Sequence, residues 1–323
     1  MKDYNFYKGI IDKALDGLPF GSPKSLYEPI IYTLQLPAKR LRPVLTLISA
    51  EMAGGDIKET IPAALSIELF HNFTLLHDDI MDEAPLRRGE PSVFYKFGRD
   101  TAILSGDALM IMAYQQLAYT SPDVQSKLFK VLNQTALGVC EGQQLDIEGE
   151  INRQVSLTDY QRIIEYKTAL LIGAAMQMGA LSAGADDEKA RAYFEIGRHM
   201  GLAFQIQDDL FDTFGNMADF GKKLGGDIVQ NKLTFLLSSA LEKAGEKEYN
   251  LIIELLRDEE IDSAKKINEI KIIYNKLKVS ESAVQAITQH YEQALLAIES
   301  LSLNNKQTKP VREILDRLIS RSQ

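Results

Sequence analysis

Apolar positions recur every three or four residues along most of this chain, the spacing that lines one face of an α-helix. On that pattern helices are predicted near 3–17, 25–35, 40–53, 59–82, 99–119, 123–150, 158–183, 187–213, 231–243, 246–257, 260–278, 280–302 and 308–320. No alternating run of β-branched residues is bounded by tight hairpin turns, so strands are not expected. Nine of the ten prolines lie at or before Pro122, which leaves the remainder free for long helices. The fold class read from the pattern is all-α.

Several helix ends have a chemical reason. Ser121-Pro122-Asp123 places proline in a first turn. Thr158 is the predicted N-cap of the helix through DYQRIIEYKTALL, Gly54-Gly55 ends the helix before it, and Pro85 ends the helix bearing HDDIMD. GNMADFGKKLGGDIVQNK, 215–232, holds four glycines and reads as a loop with room for a short helix. No Ser/Pro-rich linker divides the chain, so residues 1–323 are expected to form a single domain.

Two acidic stretches break the helical rule. HDDIMD (77–82) and QDDLFD (207–212) share the pattern D-D-x-x-D, 130 residues apart, each at the C-terminal end of an apolar helix. Carboxylates are unfavourable there, because the helix dipole already makes that end negative. Asp78 and Asp82 lie four apart and share a face, as do Asp208 and Asp212. One such cluster alone is equally well an acidic, solvated helix end. Two of them call for a compensating cation, and Mg²⁺, which takes one or two carboxylates and fills its octahedron with water and phosphate oxygens, suits them best. The D-x-D-x-D-G spacing of an EF-hand is missing.

Cations alternate with these acids. Lys39, Arg40 and Arg42 lie in PAKRLRP, Arg87 and Arg88 in LRRGEP, Lys167 in EYKTALL, and Lys222, Lys223 and Lys232 in the glycine-rich loop. Any one of them is ordinary surface charge. Acid cluster followed by basic loop, repeated twice, suits metal and phosphate together. His71 and His77 beside Asp78 raise a zinc reading, but no HExxH spacing or cysteine cluster accompanies them. A His-Asp phosphohydrolase site would need further histidines, and only His199 and His290 remain.

Composition narrows the partners. The 323 residues are 45% hydrophobic and 25% charged with net charge −9, which disfavours a nucleic-acid binder. Cys140 is the only cysteine, so no intrachain disulfide forms and a reducing, cytoplasmic setting is expected. The N-terminal stretch lacks the apolar centre of a signal peptide. The most apolar run, 169–185, is interrupted by Gln177 and rich in glycine and alanine, which predicts a close-packed buried helix and no membrane segment.

PAKRLRP, ELFHNFTLLHDDIMDEAPLRRG, GQQLD, YKTALL, FQIQDDLFD and GKKLGGD…NKLT resemble, in order and spacing over residues 36–236, the trans-isoprenyl diphosphate synthases, or polyprenyl synthetases. The resemblance implies the isoprenoid synthase fold, a helical bundle around a deep central cavity, usually in a homodimer. It implies a reaction in which an allylic diphosphate loses pyrophosphate, assisted by three Mg²⁺, and the double bond of isopentenyl diphosphate attacks the resulting cation. A proton then leaves. Position by position, it makes Asp78, Asp82 and Asp208 metal ligands, supported by Asp79, Asp212, Gln143 and Asp146. Arg87, Lys167, Lys222 and Lys232 fall to the allylic diphosphate, and Lys39, Arg42, His71 and Arg88 to isopentenyl diphosphate. Thr168 and Gln205 join Lys167 at the reacting centre. Ala38 stands where the family usually has glycine, so a positive φ there would be strained.

Phe73 lies five residues before Asp78 and Phe70 eight before, so both can face one side of their helix. In the family, an aromatic at that fifth position accompanies short products, which implies C20 or C15; core packing is the plain alternative for both rings. The competing readings are a synthase of C30–C40 chains, a terpene cyclase, which should lack KRLRP and the second DDxxD, and a non-catalytic regulatory subunit, which should have lost aspartates or RRG arginines. All of those residues are intact here.

Overall fold

A computed structural model of the chain describes residues 2–152, 156–215, 224–258 and 260–320, with side chains omitted at 150–152 and 318–320. Its helices are α1 (Tyr4–Asp16), α2 (Lys24–Gln35), α3 (Leu41–Met52), α4 (Ile57–Met81), α5 (Val93–Phe97), α6 (Arg99–Leu117), α7 (Pro122–Asn152), α8 (Leu157–Ile164), α9 (Leu170–Ser182), α10 (Asp187–Phe214), α11 (Gly226–Val229), α12 (Phe235–Lys243), α13 (Glu246–Arg257), α14 (Ser263–Lys276), α15 (Val279–Ser300) and α16 (Asn305–Ser320). The all-α expectation holds. Contacts divide the chain into two compact units: residues 1–135, 171–194 and 298–312, and residues 136–170, 195–297 and 313–323.

In the first unit α4 is the central helix. Every residue from Ala63 to Phe70 is buried, so this stretch has no solvent side and reads as a core element surrounded by neighbours. The same is true of Pro43–Ala50 in α3. In α9, a Cβ on Gly179 would sit 2.1 Å from the Thr46 carbonyl oxygen, so α3 and α9 meet backbone to side, a distance only glycine permits. This is the apolar run that the sequence reads as buried. No helix among the described residues is long and apolar enough to cross a membrane.

The second unit has its own core, in which Tyr160, Ile206, Leu210, Phe235, Ile252 and Tyr274 are packed together. Burial of such side chains stabilises the fold by roughly 1.5–3 kcal/mol each.

Four local features differ from the sequence reading. A two-stranded hairpin, β1 (Leu86–Arg87) and β2 (Glu90–Pro91), follows α4, with Leu86 opposite Pro91 and Arg87 opposite Glu90. Arg88 and Gly89, both at positive φ (56° and 84°), make its two-residue turn, the geometry that suits strand twist. Second, α4 stops at Met81, before Pro85. Glu83 turns left-handed at φ 48°, and the Ala84 N–H reaches back to the Asp79 carbonyl at 2.9 Å. Third, the N-cap of α8 is Ser156 and not Thr158: its hydroxyl takes the Asp159 N–H at 3.1 Å while the Asp159 carboxylate takes the Ser156 N–H. Fourth, the helix predicted over 158–183 is interrupted by a π-helical turn, Glu165–Ala169.

Candidate active site

The C-terminal end of α4 sorts its acids by rotation about the helix axis. Asp79 is 1% exposed, whereas Asp78 is partly exposed and the C-cap Asp82 is exposed. Neighbouring helical residues differ by about 100°, so one member of the doublet turns inward as the other turns out. Arg87 of the hairpin meets the buried carboxylate: its Nε donates to Asp79 Oδ1 at 2.9 Å, and Nη2 donates to the same oxygen. Burial raises the Asp79 carboxyl above its ordinary value, against the lowering by Arg87.

A second group of cations lies in the same unit. Arg42 Nη1 donates to His71 Nε2 at 3.1 Å. Arginine offers no acceptor, so that imidazole nitrogen is the acceptor and Nδ1 carries the proton. Burial, together with Arg42, Arg88 and Arg87, holds His71 well below its ordinary range, and it is neutral. Arg42 itself is lowered to about 10, chiefly by burial, and Arg88 is lowered for the same reason. Arg42 Nε and Arg88 Nη1 are buried with no hydrogen-bond partner among the described residues. Buried donors without acceptors are rare in proteins, and two on guanidinium groups suit an anionic ligand.

Arg40 behaves differently. It is buried, takes φ 55° as the N-cap of α3, and pairs inward with Glu68 at 2.7 Å and with the Leu34 carbonyl oxygen. The left-handed residue of PAKRLRP is therefore Arg40 and not Ala38, and the alanine carries no strain of that kind. Lys39, next to it, is exposed.

His77 packs against α6, with Nε2 3.2 Å from the Ile103 carbonyl oxygen, and a Cβ on Gly106 would lie 2.4 Å from that nitrogen. His199 and His290 pair with each other at 3.0 Å. Among the described residues no three His, Cys, Asp or Glu side chains gather into one group. Phe70 is fully buried and Phe73 partly so, with ring centroids 5.4 Å apart, and Phe73 lies edge-on to His77 at 4.7 Å.

In the second unit the π-turn carries the motif YKT. Lys167 Nζ pairs with Asp146 Oδ2 of GQQLD at 2.6 Å, and Thr168 Oγ1 donates to Gln205 Oε1 at 3.2 Å. Such a turn widens the helix by one residue and is frequent at functional sites. The glycine of GQQLD explains how it fits: a Cβ on Gly142 would meet the Lys167 nitrogen at 2.6 Å and the Tyr166 Cβ at 2.7 Å. Gln143 Oε1 is buried without a partner among the described residues.

The second acid motif repeats the sorting of the first. Asp208 is exposed and Asp209 is buried. Asp209 Oδ2 accepts the Tyr160 hydroxyl at 2.6 Å and the Phe235 N–H at 2.7 Å, and Oδ1 accepts from Gln205 Nε2 at 3.3 Å. Burial pushes this carboxyl up to about 7 and the Tyr160 phenol well above its ordinary value. Asp212 Oδ2 caps α11 by accepting the Asp227 N–H at 2.9 Å. Lys232 is half exposed, 3.8 Å from Asp227. Lys222 lies outside the described residues. Asp209 had no role in the sequence reading, yet the register of HDDIMD on QDDLFD aligns it with Asp79.

The sequence model of the polyprenyl synthetase family matches residues 23–275. The chain belongs to the polyprenyl synthetase family. This polyprenyl synthetase is 40% identical over 236 residues to a geranylgeranyl diphosphate synthase of Methanosarcina mazei, covering 72% of this chain and 73% of that protein. A geranylfarnesyl diphosphate synthase of Natronomonas pharaonis is 36% identical over 274 residues, 79% of this chain and 80% of that one. A crystal structure of geranylgeranyl pyrophosphate synthase superposes with a TM-score of 0.95 at 38% identity over the whole of both chains. The synthetase has the isoprenoid synthase fold and is a prenyltransferase that elongates isoprenyl diphosphates.

Proposed function

We propose that the enzyme joins an allylic diphosphate head-to-tail to isopentenyl diphosphate, releases pyrophosphate, and makes mainly a C20 product. The observation that carries the substrate reading is the pair of buried, unpartnered guanidinium donors, Arg42 Nε and Arg88 Nη1. With Lys39 and the neutral His71 they form the site for the diphosphate of isopentenyl diphosphate. Arg87, Lys167, Lys222 and Lys232 serve the allylic diphosphate.

Asp78 and Asp82 on α4, and Asp208 on α10, would supply carboxylates to Mg²⁺, three ions by the pattern of the family. Carboxylates at helix ends suit an ion that keeps water and phosphate oxygens in its shell. When bound, Mg²⁺ supplies positive charge to the departing pyrophosphate. The protein's own part is to orient and to shield. The C1–O bond of the allylic substrate breaks with its electron pair on the pyrophosphate, and the arginine and lysine donors stabilise the charge that develops there. The isopentenyl double bond attacks C1, and the proton lost from C2 passes to pyrophosphate. Thr168, oriented by Gln205, lies at the reacting carbon. ELFHNFTLL on α4 keeps water from the cation.

Product length is read from Phe73, the floor for the growing chain, and from relatives named for geranylgeranyl and geranylfarnesyl diphosphate. C15 and C25 are the neighbouring alternatives. We also read the enzyme as a cytoplasmic homodimer. Leu104 and Ile111, 59% and 57% exposed on α6, support a second copy seated there, and the lone cysteine suits a reducing compartment.

The test is incubation with isopentenyl diphosphate and geranyl or farnesyl diphosphate, with and without Mg²⁺, followed by chromatography of the products. Failure to form any longer diphosphate with Mg²⁺ present would sink the reading.

A further inference from the structure

We propose that Lys266 is a positioning residue for Lys232, acting through Asn231. This deepens the proposed function and rests on its assignment of Lys232 to the allylic diphosphate. Segment 225–235 is tied to the second acid motif at both ends. The Gly225 N–H donates to the Asp212 carbonyl at 2.7 Å and the Asp227 N–H to Asp212 Oδ2 at 2.9 Å. At the far end the Phe235 N–H donates to Asp209 Oδ2 at 2.7 Å. Between these anchors Asn231 takes φ 55°, a left-handed conformation that few residues other than glycine adopt. That turn brings the Lys232 N–H to the Asp227 carbonyl at 2.9 Å and sends the Lys232 side chain outward.

The side chain of Asn231 holds the turn in place. Its Nδ2 donates to the Leu256 carbonyl of α13 at 3.1 Å, and its Oδ1 accepts from Lys266 Nζ at 2.6 Å. Lys266 is only 5% exposed. A buried ammonium is costly, and an apolar side chain of similar length would fill the space without that cost. The next residue braces the other end of α11: a Cβ on Gly225 would lie 2.7 Å from Ile267 Cδ1. α14 therefore grips α11 at its N-cap through Ile267 and just past its C-terminus through Lys266. A charged amine retained in the interior is accounted for by the fixed position of Asn231, and through it of the residue that follows.

The experiment is a double-mutant cycle in steady-state kinetics, with urea midpoints measured alongside. Lys266→Met should lower kcat about tenfold, the scale of a small misplacement of a reacting group. Asn231→Gly keeps the backbone turn free of strain but removes the anchor, and it should give a similar loss, which keeps the test available if Lys266→Met does not fold. In a Lys232→Ala background neither change should lower kcat by more than about twofold, because coupled residues are not additive. The proposal is overturned if the folded Lys266 and Asn231 variants keep wild-type kcat. It is equally overturned if their losses are undiminished when Lys232 is already alanine, since they would then be general structural effects. Wild-type kcat in Lys232→Ala would remove the assignment of Lys232 itself, and absence of elongation by the wild type would remove the function. The two failures are thus told apart from the failure of Lys266.

Discussion

Tyr160 donates its hydroxyl to Asp209 Oδ2 across 2.6 Å, joining the start of α8 to the acid motif on α10. The carboxylate so held is the buried partner of the exposed Asp208. Removing the donor leaves a buried acceptor short of one bond. Tyr160→Phe should destabilise the protein by about 1–3 kcal/mol. It should lower kcat more than it raises KM, because Asp208 and Gln205 lie one residue and one turn from Asp209. Urea melts and steady-state kinetics on the same preparation check both effects.

The same carboxyl gives a pH dependence. Asp209 is raised from its ordinary 3.8 to about 7 in the folded protein. Between those values the folded chain keeps a proton that the unfolded chain has released, so this group's contribution to stability is lost as pH rises from about 4 to 7. Metal-free wild type should therefore lose stability across that window relative to Asp209→Asn, which does not titrate. Urea midpoints of the two proteins from pH 4 to 8 measure the gap. A gap that stays constant would show that Asp209 titrates alike in both states.

Gly142→Ala tests the π-turn. The added methyl would overlap the Lys167 nitrogen and the Tyr166 Cβ, so the turn bearing Lys167 and Thr168 must shift. A displacement of that kind costs up to about 100-fold in kcat. Gly138, one turn earlier in α7, is the control: its Cβ would overlap the far end of the Leu170 side chain at 2.6 Å and lie in ordinary contact with Tyr166 Cδ1 at 3.8 Å, so Gly138→Ala should cost far less.

The two phenylalanines on α4 should separate. Phe73 is partly exposed, so Phe73→Ala should lengthen the product with modest loss of stability. Phe70 is fully buried, and Phe70→Ala should destabilise by roughly 3–5 kcal/mol. Chromatography of dephosphorylated products and thermal melts distinguish the roles. Unchanged product length in Phe73→Ala would remove that residue as the floor.

Arg42→Lys should act on binding. The ammonium cannot reproduce a buried guanidinium fork that both holds His71 and offers Nε to a ligand. KM for isopentenyl diphosphate should rise about tenfold with kcat little changed, the pattern of binding energy lost equally from substrate and transition state. Titration of isopentenyl diphosphate at saturating allylic primer checks it.

The helices, the family and the chemistry on offer can all be read along the chain. Periodicity, proline placement and caps are local, so α4, α7 and α10 are legible in sequence to within a few residues at their ends. The two DDxxD motifs and the cations that follow them are legible for the same reason, because they are contiguous. The hairpin of Arg87 and Arg88 was not, since strands of two residues have no period to read. Nor was the π-turn, which depends on how closely Gly142 lets α7 approach Tyr166. Which aspartate of each doublet faces inward is set by packing alone. Helical geometry requires Asp78 and Asp79, or Asp208 and Asp209, to diverge, but not which one is buried. The donors that decide it come from Arg87, Tyr160 and the Phe235 N–H, which lie 8, 49 and 26 residues away. Buried carboxylates go where such partners converge, and convergence is a property of packing that no local stretch of sequence records.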